Sequence, residues 1–207
     1  MPPSRPSLAA AVSSGWLAGP VLLLAMVSPF VVNWSRQNLV VHHLSHGLMV
    51  VGGALIGYQL SRVLRHPWPA LIAWLGLGAA LVWHVLPLLS WAETTQVTHV
   101  FAHATLVAGG IGLGWGVPAL SSTQRAFLFI VANVFMWPLV ILQIAGAFSY
   151  SAYADQAAAA GLAELAAMSA SWVVLAFWPQ IRRFFDRPRV STAAQALVAT
   201  AAIAGWL

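Results

Sequence analysis

Cysteine is absent from the sequence. Disulfides, thiolate metal sites and iron–sulfur clusters are thereby excluded. Any metal must be held by His, Met, a carboxylate or backbone oxygen. Lysine is absent as well, so all 9 basic residues are Arg. Charge of either sign is scarce, at 6% of residues, against about 25% in a soluble domain. There is no phosphate loop, no H-E-x-x-H and no Ser–His–Asp order. Hydrolase and ATPase chemistry therefore has no support.

What is abundant is apolar. Of 207 residues, 60% are hydrophobic, and about 20 apolar residues in a row cross a bilayer. The net charge of +5 sits in short Arg-bearing loops, so it does not point to nucleic acid. The expected fold is all-α: one polytopic membrane helix bundle over residues 1–207, with about seven transmembrane helices. The spans read roughly Gly15–Val32, Val40–Val63, Trp68–Leu89, Val97–Val117, Phe127–Phe148, Leu162–Trp178 and Ala193–Leu207. The first is expected to remain as a span, since no convincing small-residue cleavage site follows it. The last is short enough to lie in the interface instead.

Arg placement gives an orientation. Arg5, Arg62, Arg65, Arg125, Arg182, Arg183, Arg187 and Arg189 fall on one side if the N-terminus is cytoplasmic, and only Arg36 falls on the other. The expected location is a bacterial-type inner membrane, N-terminus inside. Trp16, Trp34, Trp68, Trp91 and Trp178 mark span ends, as interfacial belts do.

One motif occurs twice. His42 to Tyr58 reads HHLSHGLMVVGGALIGY, and His99 to Trp115 reads HVFAHATLVAGGIGLGW. Both copies follow H-x3-H-x5-G-G-x3-G-aromatic. The reading is an internal repeat relating helices two and four. Small residues four apart let membrane helices approach closely, so Gly53, Gly57, Gly110 and Gly114 are expected at a helix contact. His at i and i+4 share one helix face, so His42, His46, His99 and His103 become candidate metal ligands. His84, near the same outer end, is a fifth. His43 lies about 100° around the helix from His42 and is expected to face elsewhere. Met49 and Glu164 are weaker candidates. A thioether at Met49 would suit Cu(I). Glu164, inside an apolar span, could ligate, accept from an imidazole N–H or carry protons. Asp155 and Gln156 read as a helix-start feature. His66, beside Arg65, reads as a loop residue.

Trp83-His84-x2-Pro87, His99-x3-His103, His42-x3-His46 and Asp155-Gln156-x4-Gly161 together resemble the CtaG-like membrane family associated with cytochrome c oxidase assembly. The resemblance covers roughly spans two to six. It implies a seven-span bundle, a functional set of His42, His46, His84, His99 and His103, and haem–copper oxidase subunits as partners. The expected role is therefore not enzymatic. An extracytoplasmic His cluster would bind copper, taken from a periplasmic donor, and assist oxidase metallation. Zinc would also accept imidazoles. Haem b, held by one His from each helix, is the alternative cofactor. An accessory subunit of a larger respiratory complex is the alternative role.

Overall fold

The computed structural model describes residues 17–85, 88, 91–92, 95–147, 153 and 155–176. All elements among them are helical: α1 Ala18–Met26, α2 Pro29–Ser35, α3 Leu39–Val63, α4 Pro69–Leu81, α5 Gln96–Gly116, α6 Ser122–Ile144 and α7 Ala157–Ala176. A 3₁₀ turn, Val82–His84, extends α4, and a second, Val117–Ala119, follows α5.

The starts are written in the sequence. Asn38 is extended, and its side chain accepts from Val41 N at 3.1 Å to cap α3. Thr95 and Thr98 form a reciprocal capping box for α5, and Ser121 and Gln124 do the same for α6. Each box satisfies N–H groups that a helix leaves without an internal partner.

The seven expected spans reduce to fewer. Three helices among the described residues are long and apolar enough to cross a membrane: Leu39–Val63, Gln96–Ala119 and Ser122–Ile144. A fourth span results if α1 and α2, bent by 53°, count as one. The bend has a local cause. Pro29 has no N–H and disfavours helix at the residue before it, so Ser28 is extended at φ −62° and ψ 147° and caps α2 instead. The expected third span is shortened because its α-helix ends at Leu81 and tightens into the 3₁₀ turn. The sixth is also a shorter apolar helix over its described length. The expected seventh, Ala193–Leu207, lies outside the described residues. Pro138 sits inside α6 without ending it.

Large apolar side chains stand exposed along these helices, among them Leu44, Leu48, Val51 and Leu55 on α3, and Phe127, Ile130, Val134 and Ile141 on α6. A water-soluble monomer rarely exposes so much contiguous apolar surface. Lipid is the solvent that this surface suits, and the chain is read as membrane-integrated.

Glycine sets the central packing. A Cβ at Gly53 would meet Val107 O and Ile111 N, and one at Gly110 would meet Val50 O and Ala54 N. A Cβ at Gly57 would meet Ile111 O, and one at Gly114 would meet Ala54 O. Backbone therefore lies against backbone, and each of these four glycines meets the corresponding positions on the other helix. α3 and α5 run in the same direction. α4 packs antiparallel on α5, where Gly76 approaches Gly109 and Leu113, and Gly116 approaches Pro69 and Ala73. α7 returns to the start of α3. Gln156 Oε1 accepts from Leu39 N at 2.8 Å, Gln156 Nε2 donates to Gln37 O at 3.2 Å, and Tyr153 Oη donates to Ser35 O at 2.9 Å.

Candidate functional site

The close approach of α3 and α5 carries their first turns together. His42 and His46 stack on one face of α3 with ring centroids 4.3 Å apart, and His99 and His103 repeat this on α5 at 4.2 Å. Across the helices, the His42 and His99 rings are 6.0 Å apart, and those of His46 and His103 are 4.9 Å apart. The closest atoms are His46 Nε2 and His103 Nε2, at 3.0 Å. One of these nitrogens donates a proton to the other. His42 and His46 are buried. The four imidazoles expected to gather do so.

The pair is nearly the right distance apart to share an ion. Two nitrogens bound tetrahedrally at about 2.0 Å would stand about 3.3 Å from each other. Two axial nitrogens on a haem iron would stand about 4 Å apart, with a macrocycle between them. The observed 3.0 Å leaves no room for that ring. The motif glycines make none either, because the facing backbone fills the space beside them. Among the described residues, no three His, Asp or Glu side chains are arranged to hold a metal ion. The cluster offers one close nitrogen pair, with a further imidazole one turn away on each helix.

His84 does not complete this group. It faces a neighbouring pocket of about 350 Å³, with His43, His46 and Glu164 also in its wall. Glu164 Oε1 meets Nδ1 of His43. Of the roles considered for Glu164, partner to an imidazole is the one the structure contains. Met49 is buried at 1% exposure in the packing of α3, and the pocket's methionines are Met136 and Met168. Three residues were therefore missed in the sequence: His43, Met136 and Met168. Spacing put His43 off the face of the His pair, as observed, but could not say that Glu164 would meet it. Gln156 also does more than begin α7, since it satisfies backbone at the start of α3.

At the opposite end, His66 packs edge-on against Trp115 with centroids 4.8 Å apart, and Trp115 Nε1 donates to Leu64 O at 3.1 Å. The loop residue thus helps close the far end of the α3–α5 pair.

Residues 17–177 match a family described as Protein of unknown function (DUF1404). No curated protein and no solved structure matches the chain.

Proposed function

The chain belongs to that DUF1404 family, and we propose from its own residues that it is a membrane protein that binds copper through His46 and His103 and passes it on. The observation that carries this reading is the 3.0 Å approach of the two Nε2 atoms, on helices held in fixed register by glycine. Imidazole suits copper and zinc alike. Zinc sites draw three or four protein ligands, whereas two nitrogens stand ready here, and this favours a low-coordinate copper ion as cargo. A turn of the rings that opens the pair from 3.0 Å to about 4 Å, twice a metal–nitrogen bond, admits a two-coordinate ion. His42 and His99, one turn away, are the groups to which the ion would next move. Few ligands and a reversible grip suit a transfer protein.

The wider reading has the duplication of α3 and α5 as its organising principle and the His end on the extracytoplasmic side. Arg62, Arg65 and Arg125 at the far end support this sidedness through the positive-inside bias. A haem–copper oxidase as recipient rests on the resemblance to the CtaG-like family alone.

The test is metal content. Purified protein reconstituted with Cu(I) should retain copper after desalting, and the His46→Ala, His103→Ala double variant should lose it. Oxidase activity in cells carrying the double variant should fall. Unchanged copper stoichiometry in a folded double variant overturns the reading. A Soret band in the native protein would revive haem.

A further inference from the structure

The pocket beside the histidine pair is a second site, and its mouth opens sideways. Its wall includes Leu44, Leu48 and Val51 of α3, which are 46%, 38% and 47% exposed on the apolar flank of the bundle. An occupant arriving there comes from the bilayer. The inner wall is different in kind. Oε2 of Glu164 is buried and has no hydrogen-bond partner, while the other oxygen of Glu164 meets His43. Buried polar atoms left in that state are costly. Glu164 and His84 both line the cavity, so a polar group entering it can answer the orphaned oxygen.

We propose that this pocket binds the head of a lipophilic quinol. A phenolic hydroxyl donates to Oε2 of Glu164, and the His84 ring stands in the same wall. Met136 and Met168, on α6 and α7, also line the cavity, and thioethers pack favourably against aromatic rings. Small-molecule sites run from about 300 to 1,000 Å³. The volume of about 350 Å³ therefore suits a ring and the first part of a tail, with the rest of the tail leaving through the lateral mouth. The site does not depend on copper at His46, although His46 forms part of its wall.

The oxidised form distinguishes this ligand from other lipids. A quinone carbonyl cannot donate to Glu164, so the pocket should prefer the reduced head. The full-length protein in lipid nanodiscs, kept anaerobic, is titrated with decylubiquinol, with decylubiquinone and with farnesol, and binding is read by tryptophan fluorescence. The quinol should bind about tenfold tighter than the quinone, the value of one hydrogen bond. Glu164→Gln should remove that preference. Ala167→Phe, which fills the cavity without touching a polar group, should abolish binding of both while the thermal midpoint stays near that of the native protein. Equal affinity for the two redox forms overturns the proposal. So does farnesol competing as well as the quinol, or undiminished binding in Ala167→Phe.

Discussion

His46 and His103 touch through their Nε2 atoms at 3.0 Å, each supplied by a different helix and each one turn below a second imidazole. No loop holds either ring. Both ride on backbone that is in contact with backbone at Gly53, Gly57, Gly110 and Gly114, so helix packing sets how near the two rings can come.

The outer pair of imidazoles should matter less than the inner pair. Replacing His42 or His99 singly by Ala should weaken copper binding by about 10- to 100-fold, as loss of a supporting group does at many metal sites. Competition titration against a Cu(I) chelator reads this directly. Abolition equal to that of His46→Ala would make the outer rings ligands of the resting site.

The glycine contact should be intolerant of any side chain. Gly114→Val places carbon against the Ala54 carbonyl and forces the helices apart. Overpacking of this kind costs about 1–3 kcal/mol, and copper binding should fall with it. Gly47 has nothing within 4 Å of its would-be Cβ. Gly47→Ala should therefore gain about 0.5–1 kcal/mol from helix propensity. Thermal unfolding in one detergent compares the two.

Gln156 should act as a clasp. Gln156→Ala leaves Leu39 N and Gln37 O without the partners they have now, at a cost of about 1–3 kcal/mol for a buried donor. α7 carries Glu164, so quinol affinity should also drop while copper binding at His46 and His103 persists. Parallel loss of both would mean that the variant unfolds the whole His end.

The cysteine-free chain makes sidedness simple to measure. Arg36→Cys and Arg62→Cys each introduce a single thiol at opposite ends of the α3 region. An impermeant maleimide added to intact cells should label Arg36→Cys and spare Arg62→Cys. The reverse pattern would turn the His end to the cytoplasm and remove a periplasmic copper source from consideration.

Much of the α3–α5 site was legible because its information is periodic. His at i and i+4, followed by glycines on the same face, states both what a helix carries and how closely it can be approached. The same logic failed where the controlling residue lay outside the repeat. Pro29 stood inside an apolar run that read as one span, yet its missing N–H makes Ser28 a cap and bends the chain by 53°. The pocket was not legible because it is assembled across distance. His43 meets Glu164 where Gln156 holds α7 against the start of α3. No local spacing encodes a meeting between positions more than a hundred residues apart.

The four-residue interval between paired glycines works like a notched rule. Shifting α3 by one turn along α5 would bring a bulky neighbour into a notch cut for hydrogen, and the two rods would jam. Sliding is thereby forbidden as a way of opening the histidine end. On the proposed copper reading, cargo would leave as the imidazoles swing about their own bonds, with the scaffold at rest.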